Sequence, residues 1–352
     1  MAKLYLKLAS GHTFEGEAFG ASGSVSGEIV FSTSMVGYLE TLSDPRYYGQ
    51  LVVQTFPMIG NYGVIPDELS DSNAKLSAYI VREYCQEPSN FRSEGKLDDF
   101  LLSRGIIGMC GVDTRELTRV IREHGVMNAR ICESADDETD FSSFAISGAL
   151  AVAARADYPK TGFLGSGPKV AVWDFGQGSL FETEMKALGC APAIFGYNES
   201  AETILAAAPD GVVLTGGPGD PRENPGVIAE IKKLADRGLP ILAVGLGHQM
   251  LALAMGLEVE KLKYGHRGSQ PVIDMSNSRV YTTSQNHGYA VRHPKEQVIA
   301  RASFKNANDL SCEGLEYPGK PFVSLQFVPQ KGKGLAGMSF IYERFVSLME
   351  VK

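Results

Sequence analysis

Residues 241–256 read ILAVGLGHQMLALAMG and set the architecture of the second half of the chain. The apolar residues Ile241 to Val244 predict a buried strand, and the amphipathic run from His248 onward predicts a helix. A Gly-x-Gly turn beginning at Gly245 joins them, so strand, sharp elbow and helix follow one another directly. In many enzymes this arrangement lifts a nucleophilic side chain above the edge of a sheet. Here the residue at the apex is glycine, which has no side chain to attack with.

The sequence before this elbow alternates predicted strands with predicted helices. In chain order they are a strand at 169–174, a helix at 179–188, a strand at 193–195, a helix at 201–208, a strand at 211–214, a helix at 225–237 and a strand at 240–244. Strands separated by helices of this length predict a parallel sheet covered on both faces.

Ligands of such sheets bind at the carboxyl ends of the strands. Three loops are therefore candidates for a binding site: GGPGDP at 216–221, GLGHQ at 245–249 and SQNHGY at 284–289. The last of these follows a short strand of its own, predicted at 280–283.

The first half has a different pattern, in which short alternating segments are separated by glycine turns. These segments, which predict strands, lie at 3–8, 27–32, 49–55 and 77–82. Only two helical patterns stand out, at 97–104 and 114–123, and both carry acidic residues in the first turn. Asp113 precedes the second pattern and is predicted to cap that helix. This half is expected to be a mixed α/β domain with a β-rich core.

Proline, glycine and serine are concentrated in ADYPKTGFLGSGP at 156–168, which is typical of a linker. The predicted organisation is therefore a first domain at 1–155, a linker at 156–168 and an α/β domain at 169–352.

The bulk composition excludes several classes of function. The chain has 352 residues, with 33 Lys and Arg against 41 Asp and Glu, and a net charge of −8. This balance argues against binding to nucleic acid or to an anionic membrane surface. No apolar run approaches the roughly 18–20 residues that span a membrane, and the N-terminus does not resemble a signal peptide. Five scattered cysteines without metal-ligand spacing fit reduced thiols and predict no metal site. We expect a soluble, cytoplasmic protein.

Longer strings of sequence resemble a known family. TGGPGDP at 215–221, GLGHQMLALAMG at 245–256, KYGHRG at 263–268 and SQNHGYAV at 284–291 resemble the class I glutamine amidotransferases. Four strings in the first half resemble the domain that is peculiar to the small subunit of carbamoyl-phosphate synthetase. They are GEIVFSTSMVGYLETLSDPRYYGQ at 27–50, FPMIGNYGV at 56–64, SNFRS at 89–93 and LDDFLLSRGIIGMCGVDTRELTRVIREHGVM at 97–127. The resemblance runs nearly from end to end of the chain.

The resemblance implies a reaction and a partner. Glutamine would be split in this subunit, and its ammonia would pass to a large subunit that uses bicarbonate, ATP and Mg to make carbamoyl phosphate. No cofactor is implied for this chain. The product would feed arginine or pyrimidine synthesis, and the sequence leaves both open. The family attacks the amide with a cysteine at the elbow, assisted by a histidine base that a glutamate orients.

All three of these catalytic side chains are replaced in this sequence. The family pattern at the elbow is G-I-C-L-G-H-Q, and here the cysteine position is Gly245. The later family motif Q-x-H-P-E is Q-F-V-P-Q, so the histidine position is Val328 and the glutamate position is Gln330. Valine transfers no proton, and a neutral glutamine cannot stabilise an imidazolium. We therefore expect the thioester route to be absent.

The pocket, in contrast, is retained in sequence. The resemblance assigns glutamine contacts to Ser34, Gly217, Gly219, Leu246, Gln249, Asn286, Gly288 and Tyr289. The backbone N–H groups of Gly217 and Leu246 would bind the developing oxyanion. Gln249 would bind the carboxylate or the amine of the substrate, and Ser34 would reach in from the first domain. A purely structural interpretation also exists, because the glycines suit tight turns and Leu246 and Tyr289 suit a core.

Three functions stay open at this point. The first is a carbamoyl-phosphate synthetase small subunit that lacks glutaminase activity and supports synthesis from ammonia. The second is a non-catalytic module that binds glutamine and has a regulatory role. The third is a working amidotransferase with another nucleophile. His248 and His287 are candidates for a substitute base, but local hydrogen bonding is the favoured interpretation of both. None of the cysteines falls in a motif loop.

Overall fold

The structure is a computed structural model of the chain, and it describes residues 2–69, 75–143, 146–154, 162–294, 298–329 and 337–350. The chain divides into two compact units. The first comprises Met1–Ala149 together with Lys263–Gly268, and the second comprises Leu150–Leu262 together with Ser269–Lys352. The predicted linker at 156–168 lies partly outside the described residues.

The first unit is rich in strands. Its elements are β1 (Lys3–Leu8), β2 (Thr13–Gly20), β3 (Val25–Ser32), α1 (Tyr38–Ser43), β4 (Leu51–Gln54), β5 (Met58–Ile59), β6 (Ala78–Ile80), β7 (Glu83–Tyr84), α2 (Leu97–Arg104), β8 (Ile107–Cys110), α3 (Thr114–His124) and β9 (Met127–Cys132), and α4 (Ala149–Ala153) follows at the boundary. Among the described residues, seven strands close into a barrel in the order β1-β2-β8-β6-β4-β3-β9. Closure leaves these strands without an open edge.

Alternation of side chains builds the core of this barrel. Leu4, Leu6 and Leu8 on β1 belong to one buried cluster, to which α3 adds Leu117 and Ile121. Every second residue of a strand points to the same face, so an apolar residue at each of these positions fills one side of the sheet.

Both helices predicted for the first half are confirmed. α2 has the predicted bounds, and α3 extends one residue beyond them. The Asp113 carboxylate accepts hydrogen bonds from the backbone N–H groups of Arg115 (3.2 Å) and Glu116 (3.0 Å), which is the predicted cap. The short helix α1 was not predicted.

The second unit contains the alternating elements. They are β10 (Lys169–Trp173), α5 (Gly178–Ala187), β11 (Ala191–Phe195), α6 (Ala201–Ala206), β12 (Gly211–Leu214), α7 (Pro225–Asp236), β13 (Ile241–Val244), α8 (Leu246–Ala254), β14 (Val259–Asp274, of which Lys263–Gly268 belong to the first unit), β15 (Val280–Val291), β16 (Arg301–Asn306), β17 (Cys312–Glu316), β18 (Phe322–Leu325) and α9 (Phe340–Glu350). In the described part of the chain the sheet has nine strands in the order β11-β10-β12-β13-β18-β17-β16-β14-β15.

The parallel sheet predicted for the second half is confirmed for β11, β10, β12, β13 and β18, which pair in parallel. Beyond β18 the pairings of β18 with β17, β17 with β16 and β16 with β14 are antiparallel, an extension that was not predicted. Successive residues of β13 alternate between two buried clusters, Ile241 and Ala243 in one and Leu242 and Val244 in the other. The two faces of the sheet are therefore both covered, as expected for helices on either side.

One local prediction was wrong. Residues 284–289 were expected to form a loop after a short strand, but they lie within β15. Gly288 does not adopt a positive φ, so it makes no turn there. β15 neighbours β14 in the sheet, and this pairing satisfies backbone groups that a turn would leave exposed.

No helix in the described ranges is both long enough and apolar enough to cross a bilayer.

Candidate functional site

The elbow predicted at Gly245 is present in the second unit. β13 ends at Val244, Gly245 has φ 55° and ψ −115°, and α8 begins at Leu246. The Gly245 N–H donates to the Leu325 carbonyl (2.9 Å), and the Gly245 carbonyl accepts from the Gln249 N–H (3.1 Å). Residues with a side chain rarely adopt this positive φ, whereas glycine adopts it without strain. The backbone of a nucleophile elbow is therefore formed around a residue without a side chain.

The space at the apex is limited but open. A Cβ atom added to Gly245 would lie 3.3 Å from the Gly216 Cα and 3.8 Å from the Gln326 carbonyl oxygen. The neighbouring Gly216 is more tightly enclosed, because a Cβ there would lie 2.1 Å from the Oε1 atom of Gln177. Position 245 thus has space for a small side chain, although its positive φ would strain one, whereas a side chain at position 216 would require the flexible Gln177 side chain to move.

Two candidate oxyanion residues lie side by side. A Cβ added to Gly217 would lie 3.1 Å from a Leu246 side-chain carbon and 2.0 Å from the Phe175 carbonyl oxygen, so only glycine fits at position 217. No acceptor among the described residues takes a hydrogen bond from the backbone N–H of Gly217 or of Leu246. Two backbone donors therefore lie beside the elbow. Gly219 follows with a φ of +91°, which explains the glycine at that position.

The position where the family has its histidine base is apolar. Val328 is 5% exposed and belongs to a buried hydrophobic cluster. It forms an isolated antiparallel bridge with Ser284 of β15. Gln330, at the glutamate position, lies outside the described residues. The side chain at position 328 can neither accept nor donate a proton.

Gln249 joins α8 to β15. Its Nε2 atom donates to the Tyr289 carbonyl (2.8 Å) and to the Oε1 atom of Gln326 (3.0 Å). Both hydrogens of the amide are therefore used, and only its oxygen can take part in binding a ligand. An acceptor oxygen suits an ammonium group and does not suit a carboxylate.

Charged side chains surround the ring of Tyr289. The Arg222 guanidinium lies 5.6 Å and the Lys261 ammonium 5.9 Å from the ring centroid. Arg222 also pairs with Asp220 (2.5 Å) in the loop that carries Gly219. Burial would raise the pKa of Asp220, but hydrogen bonds from Arg222 outweigh it and the pKa is lowered. The loop after β12 thus meets β15 through a cation, a carboxylate and an aromatic ring.

The remaining candidates from the sequence are distributed as follows. Asn286, Gly288 and Tyr289 all lie on β15, and Asn286 is buried. Ser34 lies in the first unit directly after β3, where its carbonyl accepts from Gln54. Gly268, also of that unit, is close to it, since a Cβ added there would lie 2.9 Å from the Ser34 hydroxyl oxygen.

Both histidines near the elbow make local hydrogen bonds. His248 is fully buried, its Nδ1 atom lies 2.7 Å from the Ser324 hydroxyl, and burial lowers its pKa to about 3. It is therefore neutral at physiological pH. In His287, Nδ1 lies 2.8 Å from the Tyr289 carbonyl and Nε2 lies 3.0 Å from the Gln285 Oε1 atom. The His248 Nε2 atom is buried without a hydrogen-bond partner among the described residues, whereas both ring nitrogens of His287 have one.

The cysteines of the second unit are poor nucleophiles. Cys190 and Cys312 are buried, and burial raises the pKa of both thiols, that of Cys312 to about 12. The attacking species is the thiolate, which burial in apolar surroundings disfavours. These two residues therefore lack the environment of a catalytic cysteine.

Sequence reasoning missed several residues around this site. Gln285, Glu313 and Arg222 were not proposed, although each contacts a candidate residue or its neighbour. The sequence pattern could have indicated two of them. Gln285 and His287 share the period of two of a strand, and Glu313 is an acid in the otherwise apolar run CEGL.

Comparison with known proteins gives the family. The family described as "Carbamoyl-phosphate synthase small chain, CPSase domain" matches residues 6–131, and "Glutamine amidotransferase class-I" matches residues 171–348. The carbamoyl phosphate synthase small chain of Clostridium perfringens is 40% identical over 98% of this chain and 99% of its own. That of Oceanobacillus iheyensis is 38% identical over 99% of this chain and 97% of its own.

Among solved structures, a glutamine amidotransferase from Thermotoga maritima covers 53% of this chain and 83% of its own, at 19% identity and a TM-score of 0.38, too loose a match to add to the assignment. The matches along the sequence cover both halves of the chain and nearly the full length of its relatives. The chain therefore belongs to the carbamoyl-phosphate synthase small chain family, and its second half is a class I glutamine amidotransferase domain.

Proposed function

We propose that this chain is a carbamoyl-phosphate synthase small subunit that does not hydrolyse glutamine and that supports synthesis from free ammonia by a large subunit. The large subunit would hold the ATP and Mg, and this chain would need no cofactor. The relatives named as small chains, matched over nearly their whole length, support a large-subunit partner.

The proposed absence of glutamine hydrolysis rests on one observation, the identity of the residue at the elbow. The elbow has the backbone conformation that presents a nucleophile, and the residue in that conformation is Gly245. Amide hydrolysis through a thioester needs a thiolate at this point and a base to shuttle its proton. Neither is available, because position 245 has no side chain and position 328 carries a buried valine.

The substitutes within the second unit are weak. His248 is held neutral in the interior by burial, and its Nδ1 is hydrogen-bonded to Ser324. The two cysteines of this unit, Cys190 and Cys312, are buried thiols with raised pKa values. None of these groups has the exposure and activation that a nucleophile needs.

The test is a paired assay of the chain purified together with the large subunit from the same organism. One arm measures glutamate released from glutamine, and the other measures carbamoyl phosphate formed from ammonium, bicarbonate and ATP. We expect no glutamate above the blank and normal synthesis from ammonium. The matched control is the large subunit alone, which shows whether the small chain supports the ammonia reaction.

Glutamate release that requires this chain would refute the proposal, because it would reveal a nucleophile other than residue 245. Failure of the two chains to co-purify would refute the partner.

A second function, retained binding of glutamine with a regulatory role, has support of its own. The Gln249 amide is fixed by Tyr289 and Gln326, and two backbone donors without acceptors among the described residues lie beside the elbow. Such a preformed set of polar groups is what a small-ligand site requires. Calorimetry with millimolar glutamine should show saturable heat, and its absence would leave only the scaffold role.

A further inference from the structure

One face of β15 carries a row of polar side chains. Thr283, Gln285, His287 and Tyr289 follow at every second position, so their Cβ atoms point to the same side of the strand. Thr283, Gln285 and His287 are each less than 9% exposed. Buried polar groups need hydrogen-bond partners, and the partners of this row define which atom donates at each step.

The orientation of the Gln285 amide is fixed by its neighbours. The Thr283 hydroxyl donates its single hydrogen to the Gln270 carbonyl (3.0 Å), so toward Gln285 it can only accept. The Gln285 Nε2 atom lies 3.0 Å from that hydroxyl and 3.0 Å from the Oε2 atom of Glu313. Both contacts need an N–H donor, and the Oε1 atom of Gln285 must therefore be the one that faces His287.

The protonation of His287 follows from this orientation. Its Nε2 atom lies 3.0 Å from the Gln285 Oε1 atom, and its Nδ1 atom lies 2.8 Å from the Tyr289 carbonyl. Both neighbours are carbonyl oxygens, which only accept. Each ring nitrogen must then carry a hydrogen, and an imidazole with two N–H groups is a cation.

A carboxyl group that can balance this positive charge lies near His287. Glu313 is fully buried, and its Oε2 atom lies 3.8 Å from the His287 Nε2 atom. The buried imidazole of His266 faces both groups, with a ring nitrogen within 4.8 Å of each. The other oxygen of Glu313 lies 3.4 Å from the Asn306 amide nitrogen, which donates to it. The Ser311 hydroxyl is also 3.4 Å away, but it lies 2.8 Å from the Asp309 Oδ1 atom and donates its hydrogen there. The Gln285 and Asn306 amides donate to this carboxyl group and so favour its ionised form, and a buried ion pair persists when hydrogen bonds satisfy both partners.

The row ends at the candidate pocket. The Tyr289 carbonyl that accepts from His287 also accepts from the Nε2 atom of Gln249, at 2.8 Å in each case. A continuous chain of hydrogen bonds thus runs from Glu313 on β17, through β15, to Gln249 on α8.

We infer that Glu313 and a doubly protonated His287 form a buried ion pair which, bridged by Gln285, positions the Tyr289 carbonyl and the Gln249 amide for an amino-acid ligand. Glu313 and Gln285 are then positioning residues. This inference rests on the proposed retention of glutamine binding, and it does not depend on whether glutamine is hydrolysed.

The first measurement reads the protonation directly. The full chain has six histidines, and selective ¹⁵N labelling of histidine resolves protonated from unprotonated ring nitrogens. At about pH 8 an exposed histidine, with an ordinary pKa of about 6.5, is neutral. We expect one imidazole with both nitrogens protonated, whose signals disappear in His287→Asn. The absence of any doubly protonated imidazole in the unaltered protein would overturn the inference, and this result needs no variant to fold.

The second measurement tests positioning. Glu313→Gln keeps the size of the side chain and removes its charge, so His287 should lose one ring proton and meet a carbonyl with a lone pair. We expect glutamine affinity, measured by calorimetry, to fall about tenfold, the equivalent of one charge-assisted hydrogen bond. Glu316→Gln is the matched control, since Glu316 lies on the same strand but is exposed and paired with Arg344. Its affinity should not change.

The positioning role would be overturned if the folded Glu313→Gln variant bound glutamine with the affinity of the unaltered chain. It would also be overturned if the unaltered chain bound no glutamine. If this variant does not fold, the ¹⁵N signals of the unaltered protein decide. Glutamate release, which tests the proposed function, enters neither measurement, so the two proposals can fail separately.

Discussion

At the scale of single residues, Gly245 is suited to its place by backbone conformation alone. With φ 55° and ψ −115° it occupies a region that other residues enter only under strain, and a Cβ would lie 3.3 Å from the Gly216 Cα. We expect Gly245→Ala to reduce the free energy of unfolding by about 1–3 kcal/mol, measured by urea denaturation. Gly226→Ala is the control, because Gly226 lies in α7 with nothing within 4 Å of an added Cβ. It should be neutral or up to about 1 kcal/mol stabilising. Equal effects of the two changes would contradict the strain at the elbow.

His248 makes the stability of the fold depend on pH. Its pKa is about 3 in the folded protein because of burial, against an ordinary value of 6.5. Between these values the unfolded chain binds a proton that the folded protein does not, so stability falls as the pH drops below about 6.5. The slope from this residue is at most about 1.4 kcal/mol per pH unit.

We therefore expect the unfolding free energy to lose about 2 kcal/mol between about pH 7 and pH 5 through His248. Urea denaturation at the two pH values should show this loss in the unaltered chain and not in His248→Asn. His12→Asn, at an exposed position, should keep it. An unchanged pH dependence in His248→Asn would show that the imidazole is not buried in the neutral form.

At the scale of elements, the start of α3 depends on a local signal. The Asp113 carboxylate accepts from two N–H groups that have no partner within the helix. Asp113→Ala should cost about 1 kcal/mol of stability, while Asp113→Asn, which keeps an acceptor oxygen, should cost only a few tenths. Thermal unfolding of the three proteins checks this order, and equal losses from Ala and Asn would contradict capping as the cause.

The contrast between α3 and β15 shows which elements the sequence could predict. Helix α3 is specified by residues close to one another in sequence, namely a cap, one acidic residue in the first turn and an apolar stripe, so the pattern alone predicted its start. The run SQNHGY at 284–289 is made of residues typical of turns, and only pairing with β14 makes it a strand. The antiparallel extension of the sheet beyond β18 was missed for the same reason, since it depends on contacts between distant segments.

At the scale of the whole molecule, part of the candidate site could be predicted from the sequence and part could not. Gly217, Leu246, Gln249 and Tyr289 were expected from the family resemblance, and the structure places Gly217 against Leu246 and bonds Gln249 to Tyr289. Glu313, in contrast, reaches its partner Gln285 across the sheet from 28 residues away. No spacing rule connects two such positions, so this buried acid could not be inferred before the fold was known.

Most of the cysteine thiols in the chain are shielded from solvent. Of the five cysteines, Cys85 is partly exposed and the other four are buried. We therefore expect no glutamine-protected labelling of the unaltered chain: a glutamine analogue with a chloromethyl ketone in place of its amide should label no cysteine that excess glutamine protects.

Gly245→Cys should gain one such label, detected by mass spectrometry, because the N-terminus of α8 favours a thiolate there even without a base. Gly226→Cys is the control, since its exposed thiol should react with a general thiol reagent and show no protection by glutamine. Glutamine-protected labelling of the unaltered chain would reveal a hidden nucleophile and refute the loss of hydrolysis, and a folded Gly245→Cys that stays unlabelled would mean that no ligand reaches the elbow.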